Sequence, residues 1–473
     1  MVQGNKKLHY LAQMRRLAHL ALTACLIPLT ASAQIEYSNW FFGYGCGMRF
    51  DGLATPVFQS GSPIHALEGT ATMSDDAGNL LYYTDALTVW NANHVPMLNG
   101  TGLWGGNSAT QSSLCVRKPG SASLHYVFQV GNANNADLYY SIIDMSLDGG
   151  LGGVTADKNI LLETSITEKI AGCPHQNGID RWIVVHRWNS DEFNAYLLTS
   201  AGLDTVPVVS AVGAIHTGSM LHTAGQMKIS PNGDKLALTT YYMNRTQLFD
   251  FDNSTGLVSA PIGLPETERE YGIGFSPDGT KLYTATVLYD TLFARILQYD
   301  ITSNDSMLIA ASEYMVYQDT QNFGSLEIGL DGKLYAARYM TNYLGVINAP
   351  NEAGALCDYV HNGYWLHDSI CWLGLPNQLA YPFTDKPIGI TEADHARPVL
   401  VPDPIEDEGI LHLNGVTAGR WSLVDALGRV VHSDATNGAR YITINSRGHS
   451  PGLYSIVLLA GGAPVATIRC VFQ

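Results

Sequence analysis

Apolar and polar residues alternate along this chain in short runs that stop at a tight turn and resume beyond it. The clearest copies are Met227-Lys-Ile-Ser-Pro-Asn-Gly-Asp-Lys-Leu-Ala237, Ile273-Gly-Phe-Ser-Pro-Asp-Gly-Thr-Lys-Leu-Tyr283 and Leu326-Glu-Ile-Gly-Leu-Asp-Gly-Lys-Leu-Tyr335. An earlier copy is Thr72-Met-Ser-Asp-Asp-Ala-Gly-Asn-Leu-Leu-Tyr82. A period of two predicts half-buried strands, and Asn-Gly or Asp-Gly between them tolerates the positive φ of a hairpin turn. Two weaker copies lie between. Ser113–Gly120 leads to Leu124–Phe128, and Ile170–Gly178 leads to Trp182–Val185.

The turn glycines 78, 120, 178, 233, 279 and 332 are spaced by 42, 58, 55, 46 and 53 residues. Such spacing suits four-stranded propeller blades with loop insertions. Several copies add a strand that ends in Asp before a polar turn, at Ala136–Asp144, Gln247–Asp252 and Ile296–Asp300. This reads as an outer blade strand. Six anchors are visible. A seventh blade is expected where the aromatic segments Trp40–Phe50 and Gly374–Phe383 pair and hide the edges of an open ring. A β-sandwich would not repeat so regularly, and solenoid repeats are shorter. No long amphipathic helix is visible.

The pattern breaks over 384–403, where Pro387, Pro398, Pro402 and Pro404 mark a linker. Strand-like runs return at Ile410–Leu413, Arg420–Asp425, Arg429–His432, Tyr441–Ile444, Leu453–Leu458 and Ala466–Arg469. They predict a small β-sandwich. The expected fold is all-β: a propeller of about seven four-stranded blades over 34–383, a linker over 384–403 and a β-sandwich over 404–473.

The N-terminus departs from all of this. Lys6, Lys7, Arg15 and Arg16 precede an apolar run, Leu17–Thr30, and the small residues Ala31-Ser-Ala33. This predicts a signal peptide over 1–33, cut between Ala33 and Gln34. The run is short for a bilayer span, which takes about 20 residues. Leu22-Thr-Ala-Cys25 also fits a lipoprotein signal, but the apolar run continues past Cys25. No later segment has transmembrane length.

Charge narrows the partners. Charged residues make up 14% of the chain and hydrophobic residues 46%, with 47 Gly, 25 Tyr and 8 Trp. Taking the four signal cations from the 26 basic residues leaves 22 against 42 acidic ones, a net of −20. Nucleic acid and anionic membranes reward the opposite sign. Six cysteines follow the signal, and export would permit disulfides. Cys357 and Cys371, close in a loop-rich stretch, are the candidate pair. Cys115 and Cys173 occupy matching places in neighbouring repeats and read equally as buried thiols.

Three motifs give the tail a resemblance. Pro402-Asp-Pro404, Leu423-Val-Asp-Ala-Leu-Gly-Arg-Val-Val431 and Pro451-Gly-Leu-Tyr454, in that order, resemble the C-terminal sorting domain of type IX secretion cargo in Bacteroidota. The ending Arg469-Cys-Val-Phe-Gln473 lacks the lysine-rich close often seen there. The body is similar to the propeller region of Bacteroidota surface proteins that carry this tail. Trp40–Gly43, Glu68-Gly-Thr-Ala-Thr-Met-Ser74, Tyr83–Asp85, Val89–Asn91, Asn99-Gly100, Met145–Gly150 and Thr167-Glu-Lys169 carry that likeness. The resemblance implies a secreted or outer-membrane cell-surface location and the type IX machinery as a partner. It implies architecture rather than activity.

Candidate chemistry is sparse. His175, His186, His216 and His222 cluster in sequence and are the candidate channel or ligand contacts. Their spacing is not that of zinc ligands. Asp250–Gly256 alternates oxygen ligands but misses the Gly and Glu positions of a calcium loop, so a turn explains it better. No G-x-S-x-G elbow is present. Gly43-Tyr-Gly-Cys-Gly47 is followed by no helix that could hold a phosphate. Trp40, Trp90, Trp104, Trp182, Trp188 and Trp365 could stack on sugars where exposed. The expectation is a non-catalytic module for an extracellular protein or glycan, with no catalytic residue, metal or cofactor assigned. The alternative is a secreted propeller hydrolase, lactonase-like or glycan-cleaving. An enzyme would bring titratable side chains from several blades together at the channel.

Overall fold

The computed structural model describes residues 35–382 apart from 52–54, 133–135, 266–268 and 289–292. It also describes 399–472 apart from 402–404, 406, 414–418, 426–428, 437 and 461–462. The expected signal peptide, its cleavage site at Ala33 and Gln34, most of the linker and Pro402–Pro404 lie outside these residues. The chain divides into two compact units, Met1–Asp385 and Lys386–Gln473. Among the described residues no helix is long and apolar enough to cross a membrane.

The first unit is a β-propeller. Six blades begin with the innermost strands Ala71–Ser74, Ser113–Arg117, Ile166–Pro174, Met227–Ile229, Glu270–Phe275 and Phe323–Ile328. Each blade then runs outward in chain order through antiparallel neighbours. The innermost strands are buried on nearly every residue, because blades pack on both their faces. All six anchor glycines occupy first-to-second-strand hairpins, with φ between 71° and 77°. The strands that end in Asp144, Asp252 and Asp300 are third strands, not the outermost. Each carboxylate accepts from the backbone N–H two residues on, which forms the turn to the last strand. The same bond explains Asp250–Gly256 as a turn.

The seventh blade is the first in sequence. It holds Asn39–Phe42, Cys46–Arg49 and Val57–Phe58. The chain ends do meet here, but not by the expected pairing of Trp40–Phe50 with Gly374–Phe383. Trp40–Phe50 folds back on itself as a hairpin, with Trp40 opposite Met48. Tyr44 instead exchanges both backbone bonds with Ile370. Residues 373–377 then take the axis-side position: Ser325 N donates to Leu373 O, Leu373 N to Leu67 O and Asn377 N to Thr70 O. The physical reason is closeness. A Cβ on Gly374 would stand 1.8 Å from the Glu68 carbonyl oxygen, so only glycine fits there. Ala380 N continues to Gly172 O, so the stretch runs on along the axis.

Cys357 and Cys371 do not pair. Cys357 packs with Tyr283, Ile347 and Tyr359, whereas Cys371 packs with Trp40, Cys46 and Leu375. One thiol belongs to the core under the last blade and the other to the seam of ring closure. Cys115 and Cys173 are also free and sit in different clusters.

The second unit is a small β-sandwich. One sheet is ordered Val399–Val401, Glu408–His412, Tyr441–Asn445, and the other Val430–Ala435, Arg420–Asp425, Gly452–Ala460, Ala463–Phe472. Leu411, Trp421, Leu423, Ile444, Ile456 and Phe472 form its core.

Candidate site at the mouth of the channel

The axis of the ring is polar and filled. Gln111 spans two blades to bond both N and O of Met227, and Gln226 accepts from the N–H groups of Ile273 and Leu326. Asn377 reaches Gln111, Lys228 and the carbonyls of Ser113 and Ile170. These amides satisfy inner-strand backbone groups that a wholly apolar axis would leave unpaired.

Where the innermost strands begin, a cavity of about 190 Å³ remains. Glu68, Glu168, Ser108, Asn132 and the rings of Tyr241, Tyr242 and Tyr271 line it, with Met220 and Leu221 half exposed at its rim. Glu68 comes from the turn into the second blade, Glu168 from the fourth and Tyr271 from the sixth. Titratable groups from several blades therefore do converge.

The two carboxyls differ in environment. Glu168 Oε2 accepts from Thr110 N and Oγ1, both at 3.1 Å, and Oε1 accepts from Thr223 Oγ1 at 3.4 Å. Burial pushes Glu68 well above the carboxylate range, and the charge of Glu168 adds to this. The Tyr271 hydroxyl opposes both. Glu68 Oε2 is buried and has no hydrogen-bond partner among the described residues. The Glu68 carboxyl therefore keeps its proton to higher pH than an ordinary carboxyl, and while protonated it can donate as well as accept.

Behind Glu168 lies a buried layer of basic side chains. Lys169 donates to the carbonyls of Thr223 (2.6 Å) and Ala224 (2.8 Å). Burial pulls its ammonium below the usual lysine range, and Glu168 works against that. His186 and His216 stack at 3.8 Å. Burial, followed by Lys169, pushes His186 down to about 3. Burial and the His186 ring hold His216 well below its ordinary value, with Lys169, Arg245 and His222 adding to the effect. His186 Nδ1 bonds the Arg187 carbonyl and His216 Nε2 the Thr240 hydroxyl.

Of the four histidines expected near the channel, these two come together, but buried behind the cavity rather than in it. His222 is partly buried near the rim and bonds the Thr217 carbonyl. His175 lies in the hairpin turn at the far end of its blade, against Trp182. Of the tryptophans, Trp40 and Trp182 are core, while Trp104 and Trp365 are at least half exposed. Among the described residues no three His, Cys, Asp or Glu side chains gather as metal ligands would. The carboxyls were missed because they are a hundred positions apart. A signal existed, since the approach to an innermost strand repeatedly carries a long polar residue: Glu68, Gln111, Glu168, Gln226 and Glu270.

The chain matches no protein-family model, and no curated protein matches it. Solved structures do match. A provisionally assigned 6-phosphogluconolactonase from Bacteroides fragilis is 10% identical over 72% of this chain and 98% of its own, with a TM-score of 0.44. The periplasmic gluconolactonase of Pseudomonas aeruginosa is 10% identical over 82% and 97%, with a TM-score of 0.35. The Swd1 β-propeller domain of Myceliophthora thermophila is 8% identical over 64% and 93%, also at 0.35.

Proposed function

We propose that the protein is a secreted or cell-surface propeller that binds a glycan, with one sugar unit seated in the cavity between Glu68 and Glu168. The unpartnered Glu68 Oε2 carries this reading. A sugar hydroxyl donates to that oxygen, and the carboxyl, when protonated, can return a hydrogen bond. Asn132 and Ser108 offer further polar groups, and the tyrosine rings present flat faces to the apolar side of a pyranose. Net negative charge favours a neutral or cationic glycan over an acidic one.

A glycan array probed with the purified chain tests this. A hit should weaken about 10- to 100-fold in Glu68→Ala, the equivalent of one lost buried hydrogen bond of about 1.5–3 kcal/mol. Unchanged binding in a folded Glu68→Ala variant, or no hit at all, overturns it.

A hydrolase is the second reading, and one observation favours it: two carboxyls from different blades face one cavity, Glu168 hydrogen-bonded and Glu68 raised by burial above the carboxylate range, which is an acid–base arrangement. Turnover of a lactone or glycoside that disappears in Glu68→Gln and Glu168→Gln would replace binding by catalysis.

Export is part of the proposal. The segment before Gln34 supports an N-terminal signal, and the three tail motifs support sorting by the type IX machinery. In a Bacteroidota host, the released or surface form should begin at Gln34, and deletion of 404–473 should retain the protein inside the cell. Surface display without the tail overturns the sorting role.

A further inference from the structure

We infer that Cys46 and Cys371 form a disulfide that locks the ring where its two ends meet. Cys115, Cys173, Cys357 and Cys470 each sit in a separate hydrophobic cluster. Cys46 and Cys371 alone among the described cysteines share one; both are fully buried and stand as free thiols in this structure, as the other four do.

Their backbones are brought together by hydrogen bonds. Cys46 closes the first hairpin opposite Phe42. Cys371 follows Ile370, which is bound to Tyr44 through Tyr44 N to Ile370 O at 2.9 Å and Ile370 N to Tyr44 O at 3.3 Å. Gly43 stands between the two cysteines. A Cβ at that glycine would lie 3.2 Å from Cys46 Sγ and 3.3 Å from Cys371 Cα. Both atoms therefore lie within 3.3 Å of one point beside Gly43, and no side chain of that residue stands between them. As thiols the pair gains little: the Cys371 thiol donates only to its neighbour's carbonyl, Trp372 O, at 3.2 Å.

The bond would form by exchange with the disulfide of an oxidised dithiol carrier. One cysteine thiolate attacks the carrier disulfide, making a mixed disulfide and releasing one carrier thiolate. The second cysteine thiolate then attacks the bound sulfur and expels the other. Two electrons pass to the carrier, and the two cysteine protons end on its two thiols. Burial raises both thiols far from ionisation in the closed ring, so exchange belongs to folding, before the first blade packs.

The test is independent of any ligand at the channel mouth. The full chain is unfolded in urea with reductant and refolded in oxidised and reduced glutathione. It is then digested without reduction for peptide mass spectrometry. The expected product is one linked pair of peptides carrying Cys46 and Cys371, two hydrogens lighter than the free thiols, with every other cysteine alkylated. Reductant should lower the thermal midpoint of the wild type but not of Cys46→Ala or Cys371→Ala. Free Cys46 and Cys371 after oxidative refolding, or a Cys357–Cys371 link, overturns the inference.

Discussion

The stacked histidines make acid a selective stress on this propeller. His186 and His216 are neutral in the folded ring, because burial and Lys169 oppose their charge. In the unfolded chain each titrates near 6.5. Their folded values are depressed, so the stability they lend is complete above about pH 6.5 and is lost as pH falls below it. At pH 5.5 the unfolded chain has taken a proton at each, which costs about 1 to 2 kcal/mol per histidine and roughly 3 kcal/mol for both relative to pH 7.5. The perturbation is His186→Asn with His216→Gln. Asn keeps a donor for the Arg187 carbonyl, Gln keeps a group at the Thr240 hydroxyl, and neither titrates. The assay is urea unfolding, followed by tryptophan fluorescence, of both proteins at pH 7.5 and 5.5. Other titrating groups contribute equally to both and cancel in the double difference. The variant should lose roughly 3 kcal/mol less than the wild type between the two pH values. Equal losses, within about 0.5 kcal/mol, would mean that the pair takes up its protons without leaving the folded state, and the account of the layer behind Glu168 would fail.

Two further outcomes follow from the packing of the axis. Gly374→Ala puts a methyl group 1.8 Å from the Glu68 carbonyl oxygen, a backbone atom that cannot step aside, so ring closure should cost more than about 3 kcal/mol. A wild-type thermal midpoint in that variant would refute the close approach. Lys228 and Glu327 form a buried ion pair at the other end of the axis, where Asn377 also accepts from the lysine. Lys228→Met alone should lose about 3–5 kcal/mol, while Lys228→Met with Glu327→Leu should return to within about 1 kcal/mol of the wild type. A double variant as unstable as the single one would mean that the charges are a net source of stability.

The propeller was legible because its signal is local. Six glycines at positive φ sit between period-two strands, and each hairpin can be read from about ten residues without knowing where its neighbours lie. Ring closure was only half legible: aromatic segments at both ends of the domain pointed to a meeting, but the register depends on close backbone approaches at Gly43 and Gly374 that no periodicity encodes. The candidate site was least legible. Glu68 and Glu168 stood in plain view within Glu68-Gly-Thr and Thr167-Glu-Lys169, yet only the closed ring sets them beside one cavity. The histidines had the reverse fate. Their clustering in sequence was visible, but the fold buries two, leaves one at the rim and sends His175 to the far end of its blade. Cysteine proximity in sequence misled for the same reason, since Cys371 packs against a residue from the opposite end of the domain.

The junction between Ser369 and Gly45, whose hydroxyl-to-carbonyl bond spans 324 positions, has a consequence for timing. At roughly 5–20 residues per second, a ribosome takes on the order of 15–65 s to make the intervening chain. Throughout that interval the first hairpin has only the second blade to pack against and lacks its closing partner. Any product cut short before Ile370 leaves both rims of the ring open, ready for proteases or for stray strands. The stretch that seals the ring is also translated immediately ahead of the second unit. A polypeptide that carries that unit has therefore already received the piece that closes its ring.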